Sequence, residues 1–137
     1  MARIDTLQPR VKILAEELIR QCAAAGIPII ITQGLRTIAE QDALYAQGRT
    51  TPGNIVTNAK GGTSFHNYGV AFDICPYIGG KLLWNNLELF KKVGAIGKKI
   101  GLEWGGDWVG FVDLPHFQST LGKTIQDYQN CICGRKS

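Results

Sequence analysis

The sequence has no long apolar segment, since no run of eighteen apolar residues occurs anywhere in its 137 residues. A helix needs about twenty consecutive apolar residues to cross a bilayer, so the pattern predicts no membrane-spanning helix and no membrane partner. The first residues also lack the apolar core of a secretory signal. We therefore expect a protein that carries no signal peptide of its own.

Metal-binding cysteine pairs are absent as well, because none of the four cysteines is spaced as Cys-x-x-Cys. Cys131 and Cys133 are closer together than the usual zinc-binding pair, and no histidine lies near them. Cys22 falls on the apolar side of a predicted helix and Cys75 in an apolar strand, where buried thiols are common. The sequence therefore predicts free thiols rather than a disulfide framework or a cysteine-bound metal.

Dense basic stripes with interleaved aromatic residues are also missing, although the formal net charge is +4 and the isoelectric point is near 9.0. The lysine pairs at 91–92 and 98–99 fit the solvated face of one helix. A basic balance suits an anionic partner, such as nucleic acid or a cell wall rich in teichoic acids and carboxylates. Because the stripe is missing, we expect no nucleic-acid partner.

Apolar residues recur in helical and strand-like segments separated by turn residues. A chain of this length is about one domain long and can bury a hydrophobic core without needing disulfides or a structural metal. The pattern predicts a helix through Leu7 to Cys22 closed by Gly26, a strand at 27–32, a helix at 39–47, a loop at 49–63, a strand at 70–74 with a hairpin return at 82–84, a helix from Asn85 or Asn86 to Ile100, and a strand at 116–118. These elements indicate one α+β domain, in which a small antiparallel sheet packs with about three helices.

The chain has two histidines, and each has a carboxylate close to it in sequence. Asp73 follows His66 within the same motif, and Asp113 precedes His116. Two neutral imidazoles and one carboxylate can hold Zn²⁺ and leave a fourth position for water, as in catalytic zinc sites. A lone histidine is more often an ordinary hydrogen-bonded side chain, but two histidines with nearby carboxylates favour a metal. The predicted zinc ligands are His66, Asp73 and His116.

Both ligand segments must bend if their side chains are to meet at one metal ion. Gly69 lies between His66 and Asp73, and a glycine there allows the chain to turn. Pro115 prevents a regular helix in the segment Asp113–His116, and three extended residues would span about 10 Å. The zinc hypothesis therefore requires a bend between Asp113 and His116.

The motifs Ser-x-His-x-x-Gly-x-Ala-x-Asp at 64–73 and Asp-x-x-His at 113–116 resemble those of the M15 family of zinc peptidases. This family includes D-alanyl-D-alanine dipeptidases and carboxypeptidases, and the L-alanyl-D-glutamate endopeptidases of phages and bacilli. Further segments that are similar to the endopeptidase branch lie at 33–37, 39–41, 44–49 and 101–108. The resemblance implies a single domain like that of the D-Ala-D-Ala carboxypeptidases and dipeptidases, with zinc as cofactor.

The resemblance covers roughly residues 1–122, with the motifs in the order that the family has them. We expect residues 1–122 to form the zinc peptidase catalytic domain. Residues 123–137 form a C-terminal tail of unknown role, too short for a wall-targeting repeat of the usual kind.

The family pattern also implies roles for residues around the metal. It has an acidic residue at Asp113, where a carboxylate can take a proton from the attacking water and pass it to the leaving amine. Glu103 and Asp107 remain competing candidates for this base. Arg36 matches an arginine that stabilises the developing oxyanion, although a surface salt bridge is the alternative. Ser64 either orients a substrate carboxylate or stabilises its own loop.

The function that the resemblance implies is hydrolysis of the L-Ala–D-Glu bond in peptidoglycan stem peptides. A monomeric phage endolysin, held in the host cytoplasm until its release to the wall, would fit a chain without a signal peptide. One alternative keeps the chemistry but acts on D-Ala-D-Ala termini, as a carboxypeptidase or dipeptidase. Another is a zinc-containing wall-binding module without turnover, which the presence of both Asp113 and Arg36 disfavours.

Overall fold

A computed structural model describes residues 3–110 and 112–130, and both Cys131 and Cys133 lie outside these ranges. The elements are a 3-10 helix Arg3–Thr6, α1 Pro9–Ala24, β1 Ile29–Gln33, α2 Ile38–Ala46, a 3-10 helix Phe65–Tyr68, β2 Ala71–Ile78, β3 Lys81–Leu82, α3 Leu87–Lys99, β4 Glu103–Trp104, a 3-10 helix Gly105–Asp107, β5 His116–Gln118 and α4 Ile125–Asn130. The predicted α+β class is confirmed. Within the described ranges, no helix combines the length and the apolar character that crossing a bilayer requires.

The sheet is antiparallel, and its strand order in the described residues is β1-β2-β5-β4, with β3 paired to β2. Strand β2 lies between β1 and β5, so residues near its start face both neighbours. Asp73 of β2 is opposite Gln33 at the end of β1 and opposite His116 at the start of β5. This register places the last residue of β1 and the first residue of β5 on either side of Asp73.

Helices α1 and α3 supply the apolar layer that packs with the sheet. The buried residues of helix α1 are spaced three and four apart, so they lie on one face of the helix. Pro9 is in the first turn, where the N–H group that proline lacks would have no partner within the helix. Asn86 caps the start of helix α3, because its side-chain oxygen accepts a hydrogen bond from Leu89 N. The fully buried members of this core include Val11, Ala15, Leu18, Cys22, Val70, Phe72, Ile74, Cys75, Val93 and Phe117.

Strand β4, helix α4 and the three short 3-10 helices were not predicted from the sequence. Strand β4 has two residues, which is too short for an alternating pattern to be visible. Helix α4 carries one fully buried aromatic residue, Tyr128, whose ring stacks on Tyr68 at 5.1 Å between centroids. The helix therefore depends on a tertiary contact rather than on periodicity of its own. The boundary predicted at residue 122 stays a prediction.

The two described cysteines, Cys22 and Cys75, are buried and free, as the sequence predicts. Burial raises the pKa of the Cys22 thiol to about 11, because a thiolate in this core would lose its hydration. Burial likewise raises the pKa of Cys75. Both residues therefore behave as small apolar core side chains at neutral pH.

Helix α3 approaches the sheet closely because two of its inward residues are glycines. A Cβ atom on Gly94 would overlap the ring of Trp104, and one on Gly97 would lie 2.5 Å from Cε2 of Phe117. Phe117 is fully buried in β5 and cannot move aside without disturbing the core. These glycines are therefore packing contacts, in spite of their poor helix propensity.

Gly97→Ala is expected to lower the free energy of unfolding by about 1–3 kcal/mol, because overpacking outweighs the gain in helix propensity. Urea denaturation followed by circular dichroism measures the change. The control is Lys92→Ala, an exposed position on the same helix, which should change stability by less than about 0.5 kcal/mol. A Gly97→Ala protein as stable as the parent would contradict the close-packing argument.

Candidate metal centre

Three side chains converge at one point, one from the 3-10 helix before β2, one from β2 and one from the start of β5, and they are the three predicted ligands. His66 Nε2 lies 3.2 Å from Asp73 Oδ1 and 3.2 Å from His116 Nδ1. His116 Nδ1 lies 3.5 Å from Asp73 Oδ1. Tetrahedral zinc with bonds of about 2.0–2.1 Å places two of its ligand atoms about 3.3 Å apart. The three atoms thus form one face of a tetrahedron of the size that zinc requires.

The outer nitrogen of each imidazole is occupied, and this fixes which nitrogen faces the centre. His66 Nδ1 donates to Gly34 O at 3.1 Å, and His116 Nε2 donates to Gln118 Oε1 at 2.7 Å. In the neutral rings, which are the form that binds a metal, the inner nitrogens are therefore left with lone pairs that face each other. Such outer partners are the usual means of orienting metal-binding histidines. The two lone pairs repel each other unless a cation lies between them.

The carboxylate of Asp73 supports the same interpretation. Its Oδ1 atom is buried and has no hydrogen-bond partner. A buried carboxylate oxygen without a hydrogen-bond partner, beside two imidazole lone pairs, fits a divalent cation.

A short 3-10 helix places His66, and its two ends are fixed by local chemistry. Ser64 caps the helix, because its Oγ atom accepts a hydrogen bond from His66 N at 3.2 Å. Gly69 closes it in the left-handed region at φ 73°, where other residues are disfavoured. A Cβ atom on Gly69 would also lie 3.3 Å from backbone atoms of Thr6 and Gln8. The predicted turn between His66 and Asp73 is therefore present.

The bend that the zinc hypothesis requires between Asp113 and His116 is also present. His116 N donates to Asp113 O at 3.2 Å, which closes a four-residue turn. Trp104 Nε1 donates to Leu114 O at 2.8 Å and holds this turn against β4. Asp113 N donates to Gly105 O at 3.0 Å, and a side chain on Gly105 would collide with Asp113.

The turn brings the Asp113 carboxylate to the metal centre, with Oδ2 3.9 Å from His116 Nδ1. Burial raises the pKa of Asp113, and the neighbouring charge of Asp73 raises it further. The two competing carboxylates are placed differently. Asp107 pairs with Lys98 at 3.0 Å, with both side chains about half exposed, and Glu103 is exposed on β4.

Arg36 follows β1 and is bound to the segment that carries His66. Its backbone N donates to His66 O at 2.9 Å, and its backbone O accepts from Asn67 Nδ2 at 2.8 Å. The side chain is 12% exposed, and its Nη2 atom lies 3.9 Å from Asp73 Oδ2. Its Nε atom is buried without a hydrogen-bond partner. The guanidinium thus faces the metal centre and is not part of a surface salt bridge.

Sequence reasoning missed three buried amide side chains around this centre: Gln41, Asn67 and Gln118. Gln118 had a usable signal, since residues two apart in a strand share a face and His116 is at that spacing. Asn67 joins the two loops, because its Oδ1 atom accepts from Ser64 N while its Nδ2 atom donates to Arg36 O. Asn67 and Gln41 were missed because part of their hydrogen bonding is long-range: Asn67 donates to Arg36 O, 31 residues away, and Gln41 donates to Ala59 O, 18 residues away.

Comparison with known proteins places these motifs among wall-acting peptidases. A family described as D-alanyl-D-alanine carboxypeptidase matches residues 57–119. The chain is 45% identical over 121 residues to the peptidoglycan L-alanyl-D-glutamate endopeptidase CwlK of Bacillus subtilis, covering 82% of this chain and 72% of that protein. It is 31% identical over 120 residues to an L-alanyl-D-glutamate peptidase of an Escherichia phage, covering 77% of this chain and 75% of that one.

The fold is similar to that of the L-Ala D-Glu endopeptidase ChiX of Serratia marcescens. The TM-score is 0.68, and the match covers 87% of this chain and 84% of that chain. The sequence identity in this comparison is 22%, so the likeness concerns the fold.

Gln118→Leu is expected to weaken zinc binding by about 10–100-fold, because His116 loses the acceptor that orients its ring. Competition with a chromophoric chelator measures the dissociation constant. His116→Ala should bind zinc more weakly still, since it loses a ligand. Gln21→Leu is the control, because Gln21 bonds to Glu17 on α1 and not to the metal centre. Parent-like affinity in Gln118→Leu would contradict the orienting role.

Proposed function

The chain belongs to the M15 family of zinc peptidases, and on that basis we propose that it hydrolyses the L-Ala–D-Glu bond of peptidoglycan stem peptides. The proposal follows the two relatives named as L-alanyl-D-glutamate peptidases. The observation that carries it is the ligand triangle of His66, Asp73 and His116, with Asp113 and Arg36 beside it. All of these residues lie within 1–122, which we propose to be the catalytic domain.

Zinc held by His66, Asp73 and His116 supplies polarisation of the scissile carbonyl and a lowered pKa for the attacking water. The chain must then supply a proton acceptor. Asp113 is the carboxylate for that role, because it borders the centre without belonging to the ligand triangle. Its raised pKa brings it closer to the operating pH, which favours taking a proton and then passing it to the leaving amine.

Arg36 supplies the positive charge for the oxyanion that forms on the carbonyl oxygen. Its side chain is 12% exposed and its Nη2 atom lies 3.9 Å from Asp73 Oδ2, so the guanidinium borders the metal centre where that charge develops. Ser64 is the proposed substrate-binding residue. Its oxygen accepts from His66 N, and its hydroxyl hydrogen remains able to donate to a carboxylate of the stem peptide.

The setting of the enzyme is part of the same proposal. We expect it to act as a monomer at the cell wall, with no nucleic-acid or membrane partner. The phage relative suggests an endolysin made in the host cytoplasm and released to the wall.

A second candidate function is cleavage of D-Ala-D-Ala termini. The description of the matching family as D-alanyl-D-alanine carboxypeptidase favours it, because the same ligands and base can serve either bond. A zinc-containing module that binds the wall without cutting it remains a third outcome of the test.

Digestion of purified peptidoglycan with the zinc-loaded enzyme is expected to create new amino termini on D-glutamate. Mass spectrometry after amino-terminal labelling identifies the bond that is cut. Release of D-alanine or of a D-Ala-D-Ala dipeptide, without a new D-glutamate terminus, would instead support the second function. An intact wall would favour the binding module.

Asp113→Ala is expected to keep zinc and fold but to lose about 10²–10⁴-fold in turnover, because only the proton acceptor is removed. Asp113→Glu should retain part of the rate. Turnover of a soluble muropeptide is the measurement, with zinc content determined in parallel. Asp107→Ala is the control and should cut at the parent rate. The assignment is wrong if Asp107→Ala or Glu103→Ala is inactive while Asp113→Ala is not.

A further inference from the structure

Gln41 is a fully buried polar side chain next to the candidate site, and the hydrolytic mechanism so far gives it no role. It lies on α2, one turn after the capping residue Thr37. An amide without partners in such a place would cost about 1–3 kcal/mol, so its hydrogen bonds indicate why it is there.

The hydrogen bonds of Gln41 connect two parts of the molecule. Its Oε1 atom accepts from Arg36 Nη1 at 2.7 Å. Its Nε2 atom donates to Ala59 O at 2.7 Å and to Thr57 Oγ1 at 3.3 Å. The amide thus joins the guanidinium to the long loop between α2 and the 3-10 helix that carries His66.

The guanidinium of Arg36 has few other polar contacts. Within residues 3–110 and 112–130, its one side-chain hydrogen bond is the bond to Gln41. Asp73 is 3.9 Å away, and the Nε atom has no partner. A free arginine side chain has several rotatable bonds and about 2 kcal/mol of rotamer entropy. Fixing it before the substrate arrives therefore requires a contact such as this one.

An amide suits this position better than a carboxylate would. It accepts from Arg36 without adding a negative charge, and the centre already contains Asp73 and Asp113. A third carboxylate would neutralise the guanidinium and reduce its attraction for an oxyanion. The amide also has the N–H groups that the loop carbonyl of Ala59 needs.

The loop is held firmly enough to anchor the amide. Arg49 Nη1 donates to Tyr45 O at 2.7 Å and to Thr57 O at 3.1 Å, and Arg49 Nη2 donates to Asn58 Oδ1 at 3.2 Å. The segment 57–59 is therefore fixed from two sides, by Arg49 on its outer side and by Gln41 on its inner side. The position of Gln41 is thereby set by the loop as well as by α2.

We propose that Gln41 is a positioning residue for hydrolysis, which holds the guanidinium of Arg36 in its oxyanion-stabilising orientation and is itself held by loop residues 57–59. The inference rests on the function proposed for Arg36. It assigns Gln41 no contact with the substrate, because the side chain is fully buried and its polar atoms are paired.

A double-mutant cycle on the zinc-loaded full chain tests the inference. Arg36→Ala should lower kcat by about 10²–10³-fold, as expected for loss of an oxyanion donor. Gln41→Met, which is similar in size but makes no hydrogen bonds there, should lower kcat by about 10–100-fold through misplacement of the guanidinium, with KM little changed. The double variant should be no slower than Arg36→Ala alone, since both changes act through one group.

Gln47→Met is the matched control, because Gln47 also donates from its amide to this loop, at Asn54 O, but in the described residues it has no hydrogen bond to Arg36. Its kcat should equal that of the parent. The Arg36 Nε–H resonance, assigned by its loss in Arg36→Ala, should be sharp in the parent and in Gln47→Met but broadened in Gln41→Met. This readout is independent of turnover.

Zinc content and the thermal midpoint identify a variant that has failed to fold. If Gln41→Met fails, Gln41→Glu replaces it in the cycle, and the added carboxylate should again lower kcat only when Arg36 is present. Parent-like kcat in a folded Gln41 variant, or full additivity with Arg36→Ala, would overturn the inference. Parent-like kcat in Arg36→Ala would instead overturn the proposed role of Arg36 itself.

Discussion

The whole site depends on the register of strand β2 against its two neighbours. Asp73 stands opposite His116 in one pairing and opposite Gln33 in the other. The position of Asp73 in the sheet therefore sets its distance from the ligand His116 and from the end of β1, which leads to Arg36. A slip of one residue would turn every side chain of β2 to the other face. Phe72 and Ile74 are fully buried in the core, and a slip would expose both side chains to water at a large cost in free energy. The packing of the hydrophobic core thus determines the register that brings the predicted metal ligands together.

The net charge of the side chains around the metal centre explains why the centre favours a cation. With neutral imidazoles, the carboxylates of Asp73 and Asp113 and the guanidinium of Arg36 leave one net negative charge in a largely buried place. A divalent ion changes the sum to one net positive charge, which attracts a developing oxyanion. Neutral amides at Gln41 and Gln118 orient the arginine and one ligand without altering this balance. Orientation and charge are thereby supplied by different residues.

The sequence predicted the parts of the site whose geometry is local. His66 and Asp73 share one motif with a glycine between them, and the proline before His116 made the need for a bend visible. Gln41 and Tyr128 could not be predicted in the same way, because both have contacts distant in sequence: Gln41 bonds to the loop at Thr57 and Ala59, and Tyr128 stacks on Tyr68. Gln118 was an intermediate case: strand periodicity placed it beside His116, but only the structure identified it as the acceptor.

The two imidazoles that face each other are separated by fifty residues of chain. An unfolded chain cannot hold two such distant groups together, so a metal ion bound here has high affinity for the folded form alone. By mass action, an ion present at a thousand times its dissociation constant adds about 4 kcal/mol to the folding free energy. This is a large share of the 5–15 kcal/mol that typically stabilises a domain, as an order of magnitude. Bound metal therefore adds to the stability of a fold that has its own apolar core, and a chelator removes that added stability together with the catalytic ion.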